Sequence, residues 1–123
     1  MEADNEVVAQ RPPVRLGIAG LGRAALFNHI PAFKALPGLY RLVAVCDLMK
    51  ERRDIIEKDY PDVHMYRRVE DMLDDPDIDL VLITLPTTDH VACALSSLRR
   101  GRWTVVEAPL ATTHEDAKML QAA

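Results

Sequence analysis

The stretch Val14–Ala25, reading Val-Arg-Leu-Gly-Ile-Ala-Gly-Leu-Gly-Arg-Ala-Ala, constrains this chain more than any other. A short apolar run, Val14 to Ala19, has the length of a strand. The chain then turns through Gly20-Leu21-Gly22 and enters an Ala-rich segment with helical character. Gly20, Gly22 and Ala25 fit the Gly-x-Gly-x-x-Gly/Ala fingerprint of a dinucleotide-binding βαβ unit. Gly20 permits the tight turn, and Gly22, lacking a Cβ, lets a pyrophosphate approach the backbone. Ala25 is small enough for helix to pack on sheet. Leu21, Arg23 and Ala24 complete the expected cradle, where free N–H groups and the helix dipole face phosphates.

The rest of the chain supplies the context that such a motif needs. The first helix should run from about Gly22 toward Leu36, with a kink or restart at Pro31 and a stop at Pro37-Gly38. Tyr40–Cys46 reads as strand two and Met49–Lys58 as helix two. Val63–Tyr66 reads as a short third strand near an edge, and Val69–Leu73 as a short helix before an Asp/Pro turn at 74–77. Leu80–Leu85 is apolar except for Thr84, as befits a central parallel strand. Thr88 or Asp89 should cap a helix over His90–Arg100 that stops at Gly101. Trp103–Val106 reads as strand five, with Trp103 in a core or an interface. Thr112 or Thr113 should cap a last helix, with Glu115 and Asp116 in its first turn. Strands alternate with helices long enough for parallel crossovers. The expectation is an α/β, doubly wound, mostly parallel Rossmann-like sheet of at least five strands over residues 14–123, behind a mobile tail, residues 1–13.

Bulk properties exclude several other classes. A chain of 123 residues suits one core, and 49% apolar content argues against disorder. A net charge of −4 speaks against nucleic-acid binding. The arginine pairs Arg52-Arg53, Arg67-Arg68 and Arg99-Arg100 lie far apart in sequence and read as solvated faces. Cys46 and Cys93 sit in apolar surroundings and read as buried thiols of a reducing, cytoplasmic compartment rather than a disulfide. His29, His64, His90 and His114 lack metal-ligand spacing, so no metal is expected. Residues 1–10 do not resemble a signal peptide, and no apolar run is long enough to span a membrane.

In a doubly wound sheet the ligand lies beyond the carboxyl ends of the strands. Asp47 ends strand two, about 20 residues past the glycine motif, where a carboxylate receives ribose hydroxyls and repels a 2′-phosphate. It can also cap helix two. The cofactor expectation is therefore NAD, with Arg52 and Arg53 able to admit NADP. After strand four come Leu85-Pro86-Thr87 and His90, and after strand five Glu107-Ala108-Pro109. These two Pro-containing loops read as walls of a cofactor cleft. His29, on the first helix, reads as a packing or capping residue as readily as a ligand contact.

The chain resembles the N-terminal domain of the glucose–fructose oxidoreductase, inositol dehydrogenase and MocA family. The resemblance runs from Val14 to Leu120. Gly-Ile-Ala-Gly-Leu-Gly at 17–22, His29, Pro31-Ala32 and Leu42–Asp47 carry its first half. Met72-Leu73, Asp77-Ile78-Asp79, Pro86 with His90, Glu107 with Pro109-Leu110, and Ala111-Thr112-Thr113 carry the second. It implies a Rossmann domain binding a nicotinamide cofactor, and a C-terminal α/β domain, outside these residues, that carries a sugar-like substrate and often a dimer contact. Two departures stand out. The family usually has Glu-Lys-Pro after strand five, its lysine beside nicotinamide and substrate, whereas this chain has Ala108. It usually has Thr-Pro after strand four, where this chain has Leu85-Pro86. The catalytic residue is therefore unassigned.

Two functions follow from these features. The first is the cofactor-binding domain of an NAD(P)-dependent oxidoreductase acting on a sugar, polyol or related hydroxy compound, with no catalysis by these residues alone. The second is a non-catalytic nucleotide-binding sensor or regulator of the same family, motivated by Ala108 and Leu85. A Rossmann domain for another nucleotide-like ligand, such as S-adenosylmethionine, fits the loops after strands four and five less well.

Overall fold

The computed structural model describes residues 11–123; the remainder of the expected N-terminal tail, residues 1–10, lies outside them. Five strands, β1 (Val14–Ala19), β2 (Tyr40–Cys46), β3 (His64–Tyr66), β4 (Leu80–Ile83) and β5 (Trp103–Val106), form one sheet of order β3-β2-β1-β4-β5. Every neighbouring pair is parallel. Successive strands build outward from β1 to β3 on one side and from β4 to β5 on the other. The change of direction falls at β1, whose C-terminal end carries the glycine turn.

Parallel pairing requires crossovers, and helices supply them: α1 (Ile30–Lys34), α2 (Lys50–Asp59), α3 (Val69–Leu73), α4 (His90–Arg99) and α5 (His114–Ala122). The central strands are consequently buried on both faces, and alternate residues feed two separate clusters. Ile18, Val45 and Leu82 face Ile30 of α1 and Ile56 of α2. Ala19, Ala44, Cys46, Val81 and Ile83 face Met72 and Leu73 of α3 and Cys93 and Ala94 of α4, with Leu120 of α5 packed at the margin.

The expected interruption at Pro31 takes the form of a π-helical segment, Ala25–His29, leading into α1. Proline has no N–H to give the Phe27 carbonyl four residues back, and its ring crowds that carbonyl. The turn widens accordingly, and the Ile30 N–H bonds to the Ala25 carbonyl five residues earlier. Strand four ends at Ile83 rather than Leu85; the Thr84 N–H still bonds to the Ala19 carbonyl at 2.9 Å, but its hydroxyl turns to the Gly20 carbonyl. A single 3₁₀ turn, Thr87–Asp89, precedes α4, and neither Thr88 nor Asp89 caps that helix with its side chain. Gly101 follows α4 at φ +72, the left-handed stop that the sequence predicts. Thr113 caps α5, its hydroxyl accepting the Asp116 N–H at 3.1 Å. Trp103 does not join the core: it is 76% exposed on the edge strand β5.

The turn before β4 is organised by Asp75, whose side chain is 2% exposed. Its carboxylate accepts the Tyr66 hydroxyl at 2.8 Å, the Asp77 N–H at 2.9 Å and a contact from His64 Nδ1 at 2.6 Å. Burial pushes the carboxyl up, but bonds from His64, Asp77 and Tyr66 more than offset this and leave it below the ordinary carboxylate value. His64, Asp75 and Asp77 bring ligand atoms within 4.8 Å of one another; His64 and Asp75 are engaged with each other, and the Asp77 carboxylate stands 3.8 Å from Arg15. A native carboxyl lowered in this way stabilises the fold fully above the unfolded-state value near pH 4, and the contribution fades as pH falls through the lower native value. Acid titration of stability should therefore show a shallower loss below about pH 4 for Asp75→Asn than for the parent, alongside a lower plateau at neutral pH.

Candidate functional site

The cradle at the end of β1 is locked by its neighbours. The Gly20 N–H bonds to the Cys46 carbonyl at 2.8 Å, and the Thr84 hydroxyl donates to the Gly20 carbonyl at 2.6 Å. Gly20 adopts φ +98, and a Cβ there would lie 2.8 Å from the Thr84 carbonyl and the Leu85 nitrogen. Only glycine fits. Gly22 differs: a Cβ there would meet nothing within 4 Å. Its missing side chain leaves open space, as close approach of a phosphate group requires.

Asp47 is 7% exposed. Its Oδ2 accepts the Leu21 N–H at 2.9 Å, and its Oδ1 accepts the Met49 N–H at 2.8 Å. One Arg52 guanidinium nitrogen stands 3.5 Å from Oδ2. The carboxylate thus ties the glycine turn to the β2–α2 loop, and it shapes that loop rather than capping α2.

A cleft of about 790 Å³ opens over this turn, within the size range of small-molecule sites. Of the cofactor contacts expected from the sequence, Gly20, Leu21, Gly22, Arg23, Ala24, Asp47, Leu85 and Pro86 line it. Ala25, Thr87, His90, Glu107, Ala108 and Pro109 do not. Ala25 is fully buried behind the turn. His90, 2% exposed, sits between the Leu85 carbonyl at 2.7 Å and the Pro109 carbonyl at 2.9 Å. It joins the loops after β4 and β5 from beneath, which is a structural role in place of the expected contact with the cleft. Glu107 faces His29, with 3.2 Å between Oε1 and Nε2, so His29 pairs across the sheet end. Ala108 and Pro109 are exposed beyond β5.

Other residues line it too. Arg52, which the sequence already offers to a 2′-phosphate, is among them, whereas Arg53 is not; Arg67 and Arg68, exposed as solvated faces should be, are not among the expected contacts and also line it. Arg67 and Arg68 follow β3, and β3 lies beside β2, so the sheet order sets them next to Asp47. The signal available in the sequence was their position just after a strand. Cys46 and Cys93 also line the cleft, and both are free. Burial, reinforced at Cys46 by Asp47, pushes both thiols up to about 12, so neither offers a thiolate.

The family model described as "Oxidoreductase family, NAD-binding Rossmann fold" (GFO_IDH_MocA) matches residues 14–123. The chain belongs to this family. Among relatives of this oxidoreductase domain, an uncharacterised oxidoreductase of Schizosaccharomyces pombe is 31% identical over 114 residues, covering 89% of the chain and 30% of the relative. The scyllo-inositol 2-dehydrogenase (NADP(+)) IolW of Bacillus subtilis is 26% identical over 110 residues, again covering 89% and 30%. The chain spans about 30% of the length of these curated relatives. The WlbA dehydrogenase of Bordetella pertussis, solved with NADH and UDP-GlcNAcA, superposes at a TM-score of 0.84 with 30% identity, over 90% of this chain and 33% of that one. A variant of KijD10, a 3-ketoreductase of Actinomadura kijaniata solved with TDP-benzene and NADP, gives 0.80 and 27%, over 89% and 34%. This family's NAD-binding Rossmann domain is what the glycine turn, Asp47 and the parallel sheet build here. Among the described residues no helix is long and apolar enough to cross a membrane.

His90→Ala should lower unfolding free energy by about 2–4 kcal/mol, since a carbonyl loses its ring N–H donor and a cavity remains between the two loops. Chemical denaturation measures this. An effect below about 0.5 kcal/mol would mean that the two loops hold themselves together without it.

Proposed function

We propose that residues 14–123 are the dinucleotide-binding unit of a cytoplasmic NAD(P)-dependent oxidoreductase acting on a sugar, polyol or related hydroxy compound. The observation that carries this reading is Gly22. The turn is rigidly fixed on three sides, yet its outer face is kept free of any side chain, and eight residues that the sequence predicts as cofactor contacts converge around it. The residues present fit a dinucleotide. Gly20–Ala24 would receive the pyrophosphate at the start of the helix, Asp47 would lie toward the adenosine ribose, and Leu85-Pro86 would wall the cleft. The bound nicotinamide supplies a hydride donor or acceptor. This chain's own part is to bind, orient and shield that group.

Proton handling at the substrate hydroxyl is a separate requirement. Ala108 cannot meet it, because a methyl group neither donates nor accepts a proton. The substrate pocket, any dimer contact and the proton-handling group then belong to parts of the protein outside these residues. These 123 residues should bind dinucleotide without turnover. Ala108 also favours a second reading, a family member that senses the dinucleotide without reacting it.

Gly22→Ala separates binding from folding. Its Cβ meets no protein atom, so thermal stability should stay within about 1 kcal/mol of the parent while NADH affinity drops at least about tenfold. Unchanged NADH affinity by calorimetry would mean that no pyrophosphate lies over Gly22. In a full-length protein, Ala108→Lys should raise dehydrogenase activity on a polyol panel if lysine is the one missing group. No activity before or after the change would favour the sensor.

A further inference from the structure

A second polar site lies at the opposite end of the sheet from the dinucleotide cleft, and nothing in the cofactor reading uses it. Arg15, Arg41, Asp59, Asp62, His64 and Asp77 surround a cavity of about 450 Å³. Its walls draw on the amino-terminal ends of β1, β2 and β3 and on the turn before β4, whereas the cleft sits at the carboxyl ends. The charge balance favours a cation. Arg15 is committed to Asp79, through Nε at 3.1 Å and Nη2 at 3.0 Å, and its remaining nitrogen stands 3.8 Å from Asp77. That leaves Arg41 against Asp59, Asp62 and Asp77 in the wall and Asp75 next to His64.

At this cavity His64, Asp75 and Asp77 each offer one ligand atom, all within 4.8 Å of one another. One imidazole nitrogen with two carboxylate oxygens suits a zinc-class ion better than Mg2+, which keeps to oxygen and water. The three ligands are unequal. Asp75 is buried and held from behind: the Tyr66 hydroxyl donates to its Oδ2 at 2.8 Å and the Asp77 N–H to its Oδ1 at 2.9 Å. Outer partners of this kind orient a ligating carboxylate. The His64 and Asp77 side chains are 47% and 55% exposed, so they have room to close on an ion. Tetrahedral bonds of about 2.1 Å set ligand atoms about 3.4 Å apart. His64 Nδ1, 2.6 Å from Asp75 Oδ2, therefore has to retreat by less than about 1 Å.

We propose that His64, Asp75 and Asp77 bind one divalent transition-metal ion of the zinc class, with a fourth position left to water on the cavity side. His64 opens the three-residue edge strand β3, and the two aspartates lie in the turn before β4. The ion ties together two segments that the sheet does not pair. Spacing among the histidines does not mark this site, because only one of its ligands is a histidine and the other two come from a different element.

Calorimetric titration of the chain with ZnCl2 and with MgCl2 tests this, with unfolding curves recorded for each variant. One Zn2+ per chain should bind, at least about 100-fold more tightly than Mg2+, and it should raise the unfolding midpoint in a way that EDTA reverses. Asp77→Asn removes only the 3.8 Å approach to Arg15 among the described residues, so the fold should stand while Zn2+ affinity drops at least about tenfold. His64→Ala should weaken Zn2+ by at least as much, and His114→Ala should leave it unchanged. A chain that takes up no Zn2+ below about 1 mM overturns the proposal, as does Zn2+ binding that survives both Asp77→Asn and His64→Ala. With Co2+ as the probe, nitrogen and oxygen ligation gives weak visible bands. A thiolate-to-metal band would set the ion on Cys46 or Cys93 instead and overturn the proposal as well. These outcomes are independent of whether the chain binds a dinucleotide.

Discussion

The hydrogen bond from the Leu21 N–H to the Asp47 carboxylate, 2.9 Å long and buried, is the contact on which the site depends. It joins the turn after β1 to the loop after β2. The same carboxylate reaches Met49 through its other oxygen, so one side chain fixes two loops. A buried carboxylate is costly unless hydrogen-bonded, and here the donors are backbone amides that would otherwise be orphaned at the helix start. The arrangement also leaves acceptor capacity: each oxygen takes one backbone N–H and keeps a second lone pair that the backbone does not use.

The sheet holds this contact in place through asymmetric cover. β1, β2 and β4 are packed by helices on both faces, and their C-terminal ends stay in register: Cys46 to Gly20, Ala19 to Thr84, Ile83 to Glu107 and Tyr66 to Asp47, each at 2.8–3.1 Å. β5 is covered differently. Thr104 and Val106 face α4 and α5, whereas Trp103 and Val105, on the side shared with Leu80 and Leu82, are 76% and 47% exposed. The rigid part of the sheet is therefore the part that carries the glycine turn.

Much of this was legible in the sequence because it follows from local rules. Apolar runs of strand length, separated by helical stretches, give a parallel sheet, and Gly20 and Gly22 mark where the chain must turn sharply and stay bare. The sequence reading missed what depends on neighbours in space. Arg67 and Arg68 read as surface charge and are exposed, but only the place of β3 beside β2 brings them to the cleft. His90 reads as a cleft residue from its place after β4, but its ring turns inward to two carbonyls. Thr84 looks like one polar residue in an apolar strand, yet its hydroxyl pins the Gly20 carbonyl. Trp103 reads as core or interface, and the sheet order removes the first by setting it on an edge strand. Each miss concerns the direction of a side chain across the sheet end, which period and spacing do not encode.

On the proposed reading, the cleft and the segment after β5 serve different purposes. Arg23, Arg52, Arg67 and Arg68 line the cleft, with Arg52 3.5 Å from the Asp47 carboxylate. The segment beyond β5, outside the cleft, carries Ala108, and the Glu107 carboxylate before it faces His29 at 3.2 Å. Binding energy gathered at a part of a ligand remote from the reacting atoms can position those atoms without contacting them. The affinity of such a domain is then set almost entirely around Gly22 and Asp47, and residue 108 is free to change without loss of the ligand. An alanine there leaves the cleft's lining unchanged, so on this reading an intact cleft does not by itself imply chemistry.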